Sequence, residues 1–386
     1  MLKLFGKKGS VLGVDLGTSS VKVVQASTSG KKVVIERVGF APVKLEGNRT
    51  DPSDQALTDA LKVALAESGA TSRDVCCSIS GDSVIVRYLQ FPDMPDDELG
   101  YALRLQAEEF IPFRLDEVNL DYYRLTPTTK DPGKKADLIL VAARKDLVTR
   151  RVDILRSAGL NPVIMDTDSF AVLNCVESVH TFGGDEVLAL VSMGATYTNI
   201  NIFEGNISRF ARDITAGGNT ISQAISSRMQ LSFSEAERIK CEEGFVSSQD
   251  VVQERPASTP GIAEVIKDTV EKITGEPMDG DSRKAKLNGI IRVPVQNLLT
   301  EIRRSLQFYE NQPNGKPINK ILLTGGGSML KNLDQYMSER LGLPVTVISP
   351  IENAEIKNPS QADRIKAIAP RLTVAIGLAL RQVGDK

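Results

Sequence analysis

VLGVDLGTSSVK, residues 11–22, is the stretch that decides the fold. Val11 to Val14 reads as an apolar strand ending in Asp15; Gly17-Thr18-Ser19-Ser20 turn the chain, and a second strand resumes at Val21 to Val24. The turn offers consecutive backbone N–H groups as an anion-binding concavity. Its hydroxyls and the Lys22 ammonium add donors suited to phosphate oxygens. Asp15 at the strand end suits a Mg²⁺ that keeps most of its waters and is held by one or two carboxylates plus phosphates. The same letters also read as a tight hairpin with a glycine at positive φ, so the other segments must decide.

Composition narrows the classes. The 386 residues allow two or more domains, and 41% apolar with 25% charged residues is the balance of a globular protein with ample core. A net charge of −2 gives no bulk electrostatic reason to bind nucleic acid. Cys76, Cys77, Cys175 and Cys241 have no metal-ligand spacing, which fits a reducing compartment. With His180 as the single histidine, Ser/His/Asp and Cys/His mechanisms are disfavoured. No apolar run approaches the roughly 18 residues of a membrane helix, and MLKLFGKKGS lacks a signal-peptide core. A cytoplasmic protein is expected, with any direct membrane contact limited to Leu2, Leu4 and Phe5.

Working outward, Val33 to Val43 extends the sheet. Asp51-Pro52 then starts a helix with Leu57, Ala60, Leu61, Ala64 and Leu65 at helical spacing, which Gly69 ends, and Val75 to Ser80 is a further strand. From Asp82 the pattern changes: a strand over Val84 to Phe91, a helix opened by Pro95-Asp96-Asp97-Glu98 and carrying Leu99, Leu103 and Phe110, and strands over Asn119 to Leu125 and Asp137 to Ala143. A turn at Asp131-Pro132-Gly133 separates those two strands, and a helix from Asp146 to Gly159 follows. This is a small α+β insertion. Asn161 to Met165 returns to strand, and Asp168 to Val179 to helix.

The second half opens with an echo of the first. Val187 to Val191, a turn at Ser192-Met193-Gly194-Ala195-Thr196, and Asn199 to Phe203 form a second hairpin. Gly217-Gly218-Asn219 precede a helix, where glycine lets a phosphate approach free N–H groups; a simple helix entry is the alternative. Ser234 and Glu237 read as a capping box, so Glu237 has a purely structural reading beside a functional one. Residues 242–288 are polar, with a helix expected around Ile262 to Ile273. A long helix is expected from Val293 to Tyr309, and Ile321 to Thr324 is a strand delivering Gly325-Gly326-Gly327 into a helix. Arg371 to Val383 forms the last helix.

Taken together, DLGTSSVK, the GAT hairpin, AGGN, AERIK and TGGGS resemble the five-part nucleotide signature of the actin and sugar-kinase superfamily. The insertion resembles the module of FtsA rather than its counterpart in actin or MreB. RLQAEEFIPFRLDEVNLDYYRL, PVIMDTDSFAVLN and EIRRSLQFYENQ are similar to the PilM family of type IV pilus machines, over essentially the whole chain. The fold this implies is an α/β, actin-like (ribonuclease H-like) two-lobed nucleotide-binding fold. Its first lobe would comprise 1–81, 159–185 and 367–386 (subdomain 1A) with the FtsA-type insertion at 82–158 (1C). The second would comprise 186–233 and 291–366 (2A) with 234–290 (2B).

By the same resemblance the cofactors are ATP and Mg²⁺. Asp15, Gly17, Thr18, Ser19, Ser20 and Lys22 would meet phosphates and metal from one side, and Gly194, Ala195 and Thr196 from the other. Gly217, Gly218 and Asn219 would line ribose and phosphates, Glu237 and Lys240 the ribose and adenine edge, and Gly325, Gly326 and Gly327 the adenosine. Hydrolytic relatives carry an Asp where Ser192 stands here, so slow or absent turnover is expected. Asp15 and Asp168 take the catalytic position, with Asp166 or Asp168 replacing the carboxylate missing at Ser192; strand-end or helix-cap roles stay open for both. The implied partner is the cytoplasmic N-terminal peptide of PilN, in a groove walled by Leu99, Leu103, Phe110 and Val86, through which the chain would be peripheral on the inner membrane. PilO and PilP would be indirect partners, with PilB, PilC and a homo-oligomer or ring as further candidates. A polymerising ATPase of FtsA or MreB type and a small-molecule kinase are the competing readings. FtsA carries a membrane-targeting helix after a linker, whereas here Gly384-Asp385-Lys386 directly follows the last core-like helix.

Overall fold

The computed structural model describes residues 11–29, 32–45, 49–125, 134–184, 186–205, 207–248 and 280–382. The expected helix at 262–273, the turn at 131–133 and both chain ends lie outside the described residues.

The first half builds a six-stranded sheet in the order β14-β3-β2-β1-β4-β8. β1 (Leu12–Leu16) pairs antiparallel with β2 (Ser20–Ser29), β2 with β3 (Lys32–Pro42), and β1 parallel with β4 (Asp74–Ile79). β1 is apolar on both faces because both are covered. Leu12, Val14 and Leu16 face α1 (Asp54–Ser68), where they meet Leu57 and Leu61; Val11 faces the other layer with Ala171 and Leu378. Ser53 caps α1 by accepting from Ala56 N at 3.2 Å, and Gly69 closes it at φ 60°.

The insertion is a three-stranded sheet, order β5-β7-β6, made of β5 (Val84–Pro92), β6 (Val118–Arg124) and β7 (Lys135–Arg144). α2 (Asp96–Gln106) lies on one face. α3 (Lys145–Ser157) leads back to β8 (Asn161–Thr167), and its Ile154 and Leu155 join the core beneath β1. The sequence division grouped this helix with the insertion, whereas its buried face serves the first lobe.

α4 (Asp168–Val179) is shared by the two halves: Ala171 packs with the first sheet's layer, while Val172 and Val176 pack on Leu188 and Leu190 of the second sheet. That second sheet runs β11-β10-β9-β12-β13, with β9 (Val187–Met193), β10 (Thr198–Glu204), β11 (Ile207–Ile214), β12 (Lys320–Thr324) and β13 (Val345–Val347). Its outer face is covered by α5 (Gly218–Met229), α6 (Phe233–Glu243), α7 (Gly280–Glu310) and α8 (Leu333–Leu341).

Several elements differ from expectation. α7 begins 13 residues before Val293 and carries Pro294 in its interior; Leu287, Ile291, Val295, Leu298, Ile302 and Leu306 form one buried stripe through it, and that burial overrides the proline's break. β14 (Glu355–Ile356) pairs with β3, and Ile365 of α9 (Ala362–Ile368) packs with Val24 and Ile35, so 355–366 belongs to the first sheet rather than the second half. The terminal helix α10 (Thr373–Ala379) is shorter than Arg371 to Val383. Side chains at Gly13 and Gly377 would collide with the Ala375 and Ala171 carbonyls, which is how α10 lies so close to β1 and α4.

Candidate functional site

A cleft of about 470 Å³ opens between the two sheets, lined from one side by the β1–β2 turn and from the other by the β9–β10 turn. The hairpin tips meet: Thr18 Oγ1 and Thr196 Oγ1 share a hydrogen bond of 2.7 Å, and Asn219 Nδ2 donates to Thr196 Oγ1 at 3.4 Å. Asp15 and Lys22 sit opposite each other across the β1–β2 pair, forming an ion pair of 2.9 Å at the cleft floor. A side chain on Gly17 would come 2.9 Å from Lys22 Nζ and 3.0 Å from the Ser20 carbonyl, so a larger residue there would displace the ammonium.

Asp168, the first residue of α4, also lines the cleft and accepts from Ser78 Oγ at 2.6 Å. Burial and the neighbouring Asp15 carboxylate push its pKa up to about 6. Asp166 is excluded from this role: it is buried away from the cleft, 3.3 Å from Arg381, and burial raises its pKa. Ser192 and Asn199 line the cleft where β9 and β10 pair. Behind them Asp213 is half-buried and accepts from Gly81 N at 2.7 Å, Asn199 Nδ2 at 2.7 Å and Ser169 Oγ at 3.4 Å. This carboxylate, its pKa raised by burial, ties the end of β4 and the start of α4 to β11.

The α5 entry corrects one expectation. Its N–H groups are not free for an anion: Gly218 N donates to Gly194 O at 3.0 Å, Asn219 N to Ala195 O at 2.8 Å, and Gly217 N to Thr220 Oγ1 at 3.3 Å. Gly218 lines the cleft, but Gly217 and Asn219 do not; Gly217 is needed because a side chain there would meet the Gly194 and Ala195 carbonyls at 2.6 Å. Glycine here serves hairpin packing.

The capping box of α6 is Ser232 with Glu235, not Ser234 with Glu237. Glu237 is thereby released to the cleft, where it accepts from Ser222 Oγ at 2.5 Å and Lys240 Nζ at 2.6 Å. Burial opposes its ionisation, but Lys240 and the hydrogen bonds hold its pKa below the usual carboxylate value. Gly325, at φ 85°, runs past Met193 so closely that a side chain would lie 2.6 Å from the Met193 carbonyl, and one on Gly327 would strike the Met193 side chain. Gly326 faces the Arg371 side chain, whose guanidinium lies 5.8 Å from the Phe40 ring centre.

The groove walls expected on the insertion are also corrected. Leu99 and Leu103 are at 0% and 1% exposure, locked against Phe91, Ala136 and Leu138. Phe110 packs half-buried between the same core and its neighbour, and Val86 is half-buried in β5. The apolar groups that α2 offers to solvent are Tyr101 and Leu105, at 70% and 69% exposure. Helical spacing revealed the helix, but not which of its two apolar stripes the sheet would cover.

Sequence reasoning missed Phe40, Ser78, Arg151, Tyr197, Cys241 and Arg371, all of which line the cleft. They lie outside any recognisable signature and reach the cleft through tertiary packing. Together the hydroxyls, the backbone turns and the cations Lys22, Lys240 and Arg151 fit a polyphosphate. Asp15 and Asp168 fit a divalent ion that keeps most of its water. Among the described residues no larger group of His, Cys, Asp and Glu forms a metal centre, and no helix is long and apolar enough to cross a membrane.

Comparison with known proteins gives these relations. The family model described as type IV pilus assembly protein PilM matches residues 13–256 and 288–383. A solved PilM-PilN type IV pilus biogenesis complex contains a chain of the same fold, with TM-score 0.77 and 27% identity, covering 96% of this chain and 98% of that one. The cell shape-determining protein MreB of Pasteurella multocida (strain Pm70) is 24% identical over 358 residues, 89% of this chain and 90% of MreB. Cell division protein FtsA of Helicobacter pylori (strain J99 / ATCC 700824) is 24% identical over 231 residues, 57% of this chain and 43% of FtsA. The architecture is the actin-like two-lobed fold.

Proposed function

The chain belongs to the PilM family of type IV pilus assembly proteins, and from that premise we propose that it is an ATP-binding adaptor that docks the cytoplasmic N-terminal segment of a PilN-like membrane protein. The observation that carries the nucleotide half is the cleft in which two hairpin turns face each other with Asp15, Lys22 and Asp168 beneath them. Bound ATP with Mg²⁺ would supply closure of the two lobes, stabilising the state it binds. Lys22 and the turn hydroxyls would hold phosphate oxygens, and Asp15 with Asp168 would hold the cation through its waters. Ser192 offers no carboxylate to orient an attacking water, so turnover is slow or absent. A hydrolysing reading has one observation in its favour: Asp168, poised near neutrality, could accept a proton.

The partner half draws on the likeness to the chain of the PilM-PilN complex. The three-stranded sheet of the insertion has β5 and β6 as its edges, and an extended peptide could add there through backbone hydrogen bonds. Through that partner the protein would sit at the cytoplasmic face of the inner membrane, linked indirectly to PilO and PilP.

Calorimetric titration with ATP and Mg²⁺, alongside a phosphate-release assay, tests the nucleotide half. The expected result is saturable binding, weakened at least about tenfold by Lys22→Ala, with little phosphate released. Absence of binding overturns the reading, and multiple-turnover phosphate release favours the hydrolysing alternative.

A further inference from the structure

We propose that Arg151 contacts the terminal phosphate of the nucleotide and makes the cleft discriminate ATP from ADP, an inference that rests on the nucleotide reading above. Arg151 is carried by α3, the helix that returns the chain from the insertion to the first sheet. Its Nη1 donates to Leu16 O at 2.8 Å, the carbonyl between Asp15 and Gly17 at the base of the first turn. The helix is fixed there from two sides. Ile154 and Leu155 are buried under β1, and Arg150 pairs with Asp54 of α1 at 2.6 Å.

Charge pairing sets this side chain apart from the two lysines of the cleft. Lys22 is matched by Asp15 at 2.9 Å and Lys240 by Glu237 at 2.6 Å, while Arg371 lies against Phe40 beside Gly326. Among the described residues Arg151 has a backbone carbonyl as its partner but no carboxylate, although it lines the same cleft. A guanidinium has five N–H donors in a rigid fork, so one bond to Leu16 O leaves donors for a phosphate. Arg151 is held at the base of the first turn, lines the same cleft as Glu237 and Lys240 of α6, and its charge also acts on Tyr197 in the second turn. A cation anchored at one hairpin and acting on the other is placed for the charge that ATP carries beyond ADP. With Ser192 in place of a hydrolytic acid, such a contact would report the nucleotide's state without consuming it.

The test is calorimetric titration of the wild-type protein, Arg151→Ala and Arg151→Lys with ATP and with ADP, each with Mg²⁺. The wild type should prefer ATP. Arg151→Ala should lose about tenfold or more in ATP affinity with ADP affinity nearly unchanged, and Arg151→Lys should restore part of the preference. Equal losses for ATP and ADP would reduce Arg151 to a support for Leu16 and overturn the proposal, as would no loss at all. A folding defect would weaken both nucleotides alike, so the ATP/ADP ratio separates it from loss of a phosphate contact. A wild type that binds neither nucleotide would instead sink the nucleotide reading, and this proposal with it.

Discussion

At Asp168 a carboxylate stands half-buried beside Asp15, and the structure leaves its charge only partly compensated by Ser78. Its pKa is raised from 3.8 to about 6, so between these values the folded state holds a proton that the unfolded chain has released. Stability therefore falls as pH rises through this window, and the penalty is fully present above pH 6. Asp168→Asn removes it. In the absence of nucleotide and Mg²⁺ the variant should melt at a higher temperature than the wild type at pH 8, with the gap closing towards pH 4. A gap independent of pH would show that Asp168 is not the titrating group. Glu237 runs the opposite way: Lys240 and Ser222 keep it ionised, which suits a group that accepts hydrogen bonds. Its role was hidden in the sequence because Ser234 stands three residues before it, whereas the folded helix begins two residues earlier at Ser232.

Among the elements, α2 separates what a helix buries from what it displays. Leu99 and Leu103 fill the insertion's core, so Leu103→Asp should destabilise the protein by about 3 kcal/mol or more through an unpaired buried charge. Tyr101→Ala, on the exposed stripe, should leave the melt within about 0.5 kcal/mol of wild type. Chemical denaturation of both variants checks this, and equal effects would contradict the placement of the core. The hairpins were legible because Asp15, Gly17 and Lys22 stand at fixed offsets around the first turn, and the GAT echo located the facing wall. β13 and β14 were not, since strands of three and two residues gain their identity from the neighbours they pair with, and β11 was hidden by the Arg209, Arg212 and Asp213 charges that interrupt its apolar pattern. Arg151 and Arg371 were invisible for a related reason: nothing in a basic helix turn says which cleft it will reach.

For the whole molecule, α4, Asp213 and the Thr18–Thr196 bond make the halves one mechanical unit. The insertion is joined to the second half as well, by Tyr88 OH to Ser208 Oγ at 2.6 Å and Arg209 to Asp137 at 3.4 Å. Under the adaptor reading, a partner on the insertion would press on both lobes, and its affinity would be linked to whatever closes the cleft. The adaptor claim is tested most directly by titrating the full chain with the N-terminal cytoplasmic peptide of the PilN-like protein from the same genome, with and without ATP and Mg²⁺. The account predicts saturable one-to-one binding whose affinity shifts with nucleotide. No binding in either state, with steady phosphate release from the same preparation, would contradict it and place the chain among the hydrolysing actin-like ATPases.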